Sequence, residues 1–279
     1  MNDQTDRQTD RIRLAAPVRW AGGKARLVND ILPFLGEHVC YVEPFCGGAS
    51  LFWSKPKSNS GQEVLNDLDG ELVNFCRVLH RRGRRLAAEV GSMPYSRAEF
   101  NLLLRSEPAS DFARAVKFWY CNRVCFGGKR TDPVFGTSSS ACSLVVLPER
   151  VLASLDGLIE RLRHVILESL PALECIARYD RPHTLFYVDP PYIGLANCYS
   201  TPFAECDHRA LAAALRRIDG RFLLSLNDTP LTAELYAGLP TRRLRSSLFT
   251  IGGITRHGGN RFKVSVELLF SNRPMIAAR

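Results

Sequence analysis

Residue types able to do chemistry are densest in "LFYVDPPYIG", residues 185–194, where an apolar run ends on Asp189 and two prolines and Tyr192 follow at once. A carboxylate closing a buried strand beside a stiffened turn suits the activation of an exocyclic amine. Asp189 accepts one amine hydrogen and a backbone carbonyl within the turn accepts the other. The nitrogen lone pair is thereby drawn out of conjugation and towards an electrophile. Proline aims that carbonyl before a substrate arrives. Tyr192 offers a ring to stack on a planar base, and a base in a duplex must leave the stack to reach it. The plainer alternative is a strand end punctuated by prolines.

A second cluster lies near the N-terminus. "YVEPFCGGAS" (41–50) reads as a strand running into a glycine-rich turn, and Gly47 and Gly48 allow close approach to the backbone. The next strand, "EVLND", ends on Asp67, 20 residues after Gly47. That offset puts a carboxylate where the ribose of a nucleotide-type ligand donates hydrogen bonds. An adenosine-type cofactor is the functional reading; a tight structural turn is the alternative. A strict GxGxxG is absent, since Ala49 and Ser50 follow the glycines. Nor is "WAGGK" (20–24) a phosphate-binding P-loop, because Val18 and Ala25 stand where that motif needs glycine and Ser/Thr. Trp20 and Lys24 gain interest from lying just upstream of the cofactor-type strand.

Strands must position these groups. The near-continuous apolar runs 39–43, 63–67, 185–189, 221–227 and 264–270 read as strands covered on both faces. Helical patterns lie between them: residues 69–83 close on Gly83, and 207–220 open on Asp207 as N-cap. Alternation of this kind predicts an α/β sheet. From about 84 to 165 the strand signal fades and helix-like segments dominate, including "SRAEFNLLLRS" and "DFARAVKFWYCNRV". A glycine-rich basic loop, "CFGGKRTDPVFGTSSS", follows them. The expected organisation is a disordered tail over 1–16, a catalytic domain over 17–83 and 166–279, and a helical insertion over 84–165.

The 279 residues carry a formal net charge of +9 and a pI near 9.3. This excess favours a polyanionic partner, because neutralising phosphates releases condensed counterions. It is concentrated in "HRRGRR" (80–85), "RLRH" (161–164) and "TRRLR" (241–245), each of which taken singly reads as a solvated face. Nine cysteines form no CxxC pair, which fits free thiols in a reducing compartment, the cytoplasm, better than disulfides or a metal site. No apolar run approaches the roughly 20 residues that span a bilayer, and the polar start lacks the apolar centre of a signal peptide.

In the order "RWAGGK", "VEPFCGGAS", "NDLDGELVNF", "RAVKFWYCNRVCFGG", "YVDPPY", "LSLND" and "HGGNRFKVSVELLFSN", nearly the whole chain resembles the Dam-type DNA adenine-N6 methyltransferases. The resemblance implies a Rossmann-like sheet that binds S-adenosylmethionine, with an inserted helical target-recognition domain. It further implies methyl transfer to N6 of a flipped-out adenine in double-stranded DNA, without metal or covalent enzyme intermediate. By the same resemblance Trp20 and Lys24 line the cofactor and base pocket. Glu43, Phe45 and Gly47 form the cofactor turn, and Asp67 holds the ribose hydroxyls. Asp189 touches cofactor and target amine, Pro190 supplies the carbonyl, Pro191 stiffens the turn and Tyr192 stacks on the base. The chain departs from the family at Ala49, in place of the last turn glycine, and in a shorter recognition loop. Within the insertion Arg123, Phe126, Lys129 and Arg130 are the candidate DNA contacts, by base reading, wedging or phosphate binding, with support of the fold as the alternative for Arg123 and Phe126. A monomer is expected, and neither the target sequence nor a cognate restriction endonuclease is legible. Cytosine N4, RNA adenine or protein glutamine are alternative amines, and a DNA-binding homologue without catalysis is the alternative of another class. Asp rather than Ser or Asn before "PPY" favours adenine by resemblance.

Overall fold

The computed structural model describes residues 14–20, 22–57, 60–128, 130–137, 145–194, 203–244, 247–249 and 263–277. Its strands are β1 (Cys40–Glu43), β2 (Gln62–Asn66), β3 (Val165–Glu168), β4 (Thr184–Val188), β5 (Arg221–Asn227), β6 (Thr241–Arg243), β7 (Ser247–Phe249), β8 (Lys263–Ser265) and β9 (Glu267–Ser271). Its helices are α1 (Val28–Ile31), α2 (Ser50–Ser54), α3 (Gly70–Ser92), α4 (Arg97–Arg105), α5 (Asp111–Val124), α6 (Glu149–Ala153), α7 (Leu155–Arg161), α8 (Ala172–Tyr179), α9 (Glu205–Leu215) and α10 (Pro230–Leu235).

Seven strands form one sheet in the order β3-β2-β1-β4-β5-β9-β6. Strands β1 to β5 run parallel, and β9 pairs antiparallel with both β5 and β6. All five residues of β4 are buried, as a strand covered on both faces requires. Its side chains alternate between two apolar clusters, Leu185 and Tyr187 with Phe75 and Trp119, Phe186 and Val188 with Leu211 and Phe222. The result is the expected Rossmann-like α/β sheet. Strand order reverses between β1 and β4, and ligands of such sheets bind outside the carboxyl ends of the strands at that point. Both sequence clusters, after Glu43 and after Val188, sit there.

The helical segments α4 and α5 lie where the sequence pattern puts them, each opened by a serine: Ser96 Oγ accepts from Glu99 N, and Ser110 Oγ from Ala113 N. They enter between β2 and β3, and α5 packs on α3 through stacked Phe75 and Phe118, 5.4 Å between centroids.

Several sequence expectations are corrected. The helical run α3 breaks at Arg82, where φ is -141° and ψ 27°, one residue before the expected end at Gly83, and a second helical stretch then runs on to Ser92. Gly83 serves a close approach instead, because a Cβ there would stand 2.7 Å from Ile159 Cγ1 of α7. Helix α9 starts at Glu205, and Asp207 reaches back to accept from Ala204 N at 2.7 Å rather than standing as N-cap. The expected strand over 264–270 divides into β8, paired with β7 in a separate ribbon, and β9. Strand β3 escaped the sequence pattern because all four of its residues are only half-buried. The expected tail ends earlier than 16: Leu14 is buried and donates its N–H to Trp53 O. Residues 1–13 lie outside the described residues. Arg161, in the basic run 161–164, is not on a solvated face; it pairs with Glu63, which also holds Lys55, in a buried trio joining α7 to β2.

Candidate active site

Asp189 follows β4 directly, and its Oδ1 accepts from Lys24 Nζ at 2.5 Å and from Ser225 Oγ at 2.9 Å. Ser225 is itself 3.0 Å from the Tyr187 hydroxyl. Oδ1 is therefore fixed from two sides. Oδ2 makes no hydrogen bond among the described residues, and the side chain is 20% exposed towards the cavity that it lines. Burial raises the Asp189 carboxyl above the usual aspartate range, against the pull of Lys24 and Ser225.

Lys24 is no surface lysine. It is 4% exposed, and its ammonium donates to Asp189 and to Gly22 O at 3.1 Å. Glu267 Oε1 faces it as an ion-pair partner at 3.2 Å, outside hydrogen-bond geometry. Burial alone would lower its pKa; Asp189 and Glu267 outweigh burial and hold it above the usual lysine range.

The cavity, about 320 Å³, lies at the carboxyl ends of β1, β2 and β4. Trp20, Lys24, Glu43, Phe45, Gly47, Asp67, Arg130, Asp189, Pro190 and Pro191 all contribute to its wall, so the structure brings both sequence clusters to one space. Gly47 adopts φ +46°, and its N–H donates to Asp67 Oδ2 at 2.8 Å. A Cβ on Gly47 would stand 2.5 Å from Trp20 Nε1, so the close approach these glycines permit is made by the Trp20 indole. Ala49 takes the same left-handed region at φ +49°, which explains why glycine suits that position. Asp67 Oδ1 accepts from Asp69 N at 2.9 Å, and burial raises its carboxyl to about 6. Glu43 Oε1 accepts from Tyr41 OH and from Phe52 N, bracing β1 to α2, and burial raises its carboxyl to about 8.

Tyr192 is placed differently from expectation. It is 3% exposed and not on the cavity wall; Lys24 Nζ sits 4.7 Å from its ring centroid. The ring is thus covered by the lysine that holds Asp189.

Residues that the sequence reading passed over secure the turn. Asn227 Oδ1 accepts from Ile193 N and its Nδ2 donates to Ile193 O, both at 3.1 Å, clamping the segment after Tyr192. Asn66 does the same for the neighbouring loops, binding Pro44 O and both backbone groups of Leu170. Ser225 and Asn227, two apart on β5, share a face, which is a readable signal. Glu267, a charge inside the apolar "VELLF", is another.

The candidate DNA contacts separate. Arg123 is 3% exposed with Nε on Val146 O at 3.1 Å, and burial lowers its pKa to about 10; it supports the fold rather than facing a duplex. Phe126 is 55% exposed. Arg130 Nε and Nη2 donate to Asp69 at 3.0 and 3.1 Å, and its guanidinium lies over the Phe118 ring. Lys129 lies outside the described residues. The insertion also holds the Trp20 segment: Asn122 exchanges hydrogen bonds with Arg19 N and O at 2.8 and 2.7 Å, and Trp119 Nε1 donates to Pro17 O.

Fold and cleft together define an α/β enzyme whose nucleotide-type cavity meets a carboxylate poised beside a stiff turn. The chain matches the family described as D12 class N6 adenine-specific DNA methyltransferase over residues 20–248, and it belongs to that family. It is 28% identical to a DNA adenine methylase of Salmonella typhi, covering 93% of this chain and 96% of that protein. It is likewise 28% identical to a DNA adenine methylase of Escherichia coli K12, covering 94% and 96%. A solved rRNA methyltransferase from Streptomyces viridochromogenes superposes with a TM-score of 0.37 at 13% identity, covering 89% of this chain and 84% of its own. The protein is an enzyme, an adenine-specific DNA methyltransferase. Among the described residues no helix is long and apolar enough to cross a membrane.

Proposed function

We propose that the protein transfers a methyl group from S-adenosylmethionine to N6 of an adenine turned out of duplex DNA into the cleft at Asp189. The lining supports that cofactor through its charge. Asp67, Asp189 and Asp207 line the cavity, while its cations Lys24 and Arg130 are already paired with carboxylates. Such a wall suits a cation carrying hydroxyls better than a diphosphate. Phe45, Leu68, Leu170 and Phe203 provide apolar faces for a flat ring, and Asp67 is the acceptor for ribose hydroxyls. When bound, the cofactor supplies an electrophilic methyl carbon on a sulfonium.

The rest falls to the protein's own residues. Asp189 Oδ2 accepts one N6 hydrogen and the Pro190 carbonyl the other, so the nitrogen lone pair faces the methyl group. Transfer to N6 would leave the C–S electron pair on the departing sulfur, and Asp189 is the group placed to take the proton that N6 sheds. Lys24, Ser225 and Asn227 hold this geometry before substrate arrives, which makes alignment the main source of acceleration. Tyr192, covered as it is, acts first as the floor under Lys24. To stack on the base, its ring must be uncovered as the base enters. Phe126, on a turn with Gly127 at φ +68° and Gly128 at φ +67°, is the exposed aromatic suited to fill the gap the base leaves. Lys129 is assigned to phosphate or base contact and Arg130 to anchoring the loop.

The observation that carries the reading is the fixed Oδ1 and open Oδ2 of Asp189 at the end of an acid-lined nucleotide cavity. Its test gives the protein methyl-labelled S-adenosylmethionine and duplex DNA, then digests the DNA to nucleosides. Label in N6-methyladenine is the expected result; label only in 4-methylcytosine, or in RNA or protein offered instead, overturns it.

A further inference from the structure

Glu267 is the buried carboxylate that the chemistry just described does not use. It opens β9 opposite Asn227 of β5, is 1% exposed, and precedes the apolar run Leu268–Phe270. Taking an isolated carboxylate out of water is strongly unfavourable, so its retention calls for a partner. Lys24 Nζ is that partner at 3.2 Å, and the Tyr192 hydroxyl lies against the same carboxylate. The lysine beside the reacting carboxylate therefore answers to two acids, not one.

We propose that Glu267 is a positioning residue for methyl transfer: by sharing the Lys24 ammonium with Asp189, it sets how strongly that ammonium holds the Asp189 carboxylate. The inference rests on the adenine-methylating reading and deepens it. Two carboxylates and one ammonium leave the cluster with a net negative charge, opposite in sign to the charge that N6 acquires as it gains the methyl group. Were Lys24 to face Asp189 alone, the pair would be neutral and Oδ2 a weaker acceptor. Glu267 does not line the cavity, so it acts through Lys24. Among the described residues the other titratable groups facing the cluster are Glu43 from β1, Tyr187 from β4 and Tyr192 from the turn.

The test is Glu267→Gln in the full chain, which keeps shape and removes charge. Single-turnover methyl transfer is followed across pH at saturating cofactor and duplex, with both binding constants measured alongside. We expect the rate to fall roughly tenfold to a hundredfold with binding unchanged. The acid limb of the pH–rate profile should move to lower pH, because loss of a negative neighbour makes Asp189 easier to ionise. Glu267→Asp should restore the limb. An unmoved limb overturns the proposal, whether the rate is normal or the loss lies only in KM or thermal stability. Should Glu267→Gln not fold, Lys24→Met/Glu267→Gln keeps the charge balance and should be no slower than Lys24→Met; additive losses overturn the proposal. Absence of N6-methyladenine from the unaltered protein would fault the underlying reading, whereas its presence with an unmoved limb faults only the role of Glu267.

Discussion

The cleft around Asp189 and the segment from Arg123 to Phe135 are built on opposite principles. In the cleft the groups around the reacting carboxylate are fixed: Lys24 donates to Asp189 and Gly22 O and pairs with Glu267, Asp189 Oδ1 has two donors, and Asn227 grips both backbone groups of Ile193. In the segment an exposed Phe126 leads into two left-handed glycines, and Gly127 has nothing near where a Cβ would stand. Its base is moored by the Cys125–Phe135 bridge, by Phe135 against Tyr95 and Phe100, by Arg130 on Asp69 and by Gly128 packed against Arg19, and Phe126 and Gly127 project from that base. The groups at Asp189 are thus fixed on strand ends, while the exposed aromatic stands on a turn held from below. The last two moorings lead back to the cleft, one through the residue that caps α3 beside Asp67, the other through the Trp20–Lys24 segment.

The sharpest way to break this contrast is to empty the cleft of its cation. Lys24→Met leaves Asp189 and Glu267 buried without a counter-charge and should destabilise the fold by about 3–5 kcal/mol, measured by denaturant unfolding. Stability within error of the unaltered protein would mean that the cluster is not the fixed unit described. Gly47→Ala comes next: the added methyl meets the Trp20 indole at φ +46°, so cofactor affinity should drop in a calorimetric titration while duplex affinity holds.

On the other side, Phe126→Ala should weaken duplex binding by roughly 1–3 kcal/mol, the range of base–aromatic contacts, without moving the melting temperature. Duplex affinity should also fall steeply with salt, log K dropping by about 0.9 per phosphate contacted for each decade; a flat response would remove phosphates from the interface. The pH effect is smaller. The ionised Asp67 is the better acceptor for ribose hydroxyls, and its carboxyl is raised to about 6, so cofactor affinity should decline as pH falls through that value. The ligand-free fold runs the other way. A raised carboxyl contributes stability that is present below the ordinary aspartate range and lost as pH rises through about 6. Smallest of all, Ala49→Gly relieves a left-handed alanine and should stabilise the fold by about 1 kcal/mol or less.

What could be read in the sequence divides along the same line. The strands that carry Glu43, Asp67 and Asp189 announce themselves, since burial on both faces leaves continuous apolar runs. Half-buried β3 does not, nor does the role of Gly83, which is close packing on Ile159, 76 residues away. Lys24 was legible from its motif but its partner Glu267 was not, because β9 reaches β5 only through the folded sheet. Arg123 shows the limit most plainly. Charge in a basic loop suggests DNA, yet its position on the inner face of α5 sends the guanidinium to Val146 O.

The central claim is that the chemistry at Asp189 is separable from the grip on DNA. One paired measurement on Asp189→Asn tests it: single-turnover transfer of labelled methyl into duplex DNA, and equilibrium binding of the same duplex. We expect the rate to fall by about a hundredfold to a thousandfold while the duplex Kd stays unchanged within error. A folded variant that loses rate and duplex affinity in equal measure, or that keeps its rate, would contradict it.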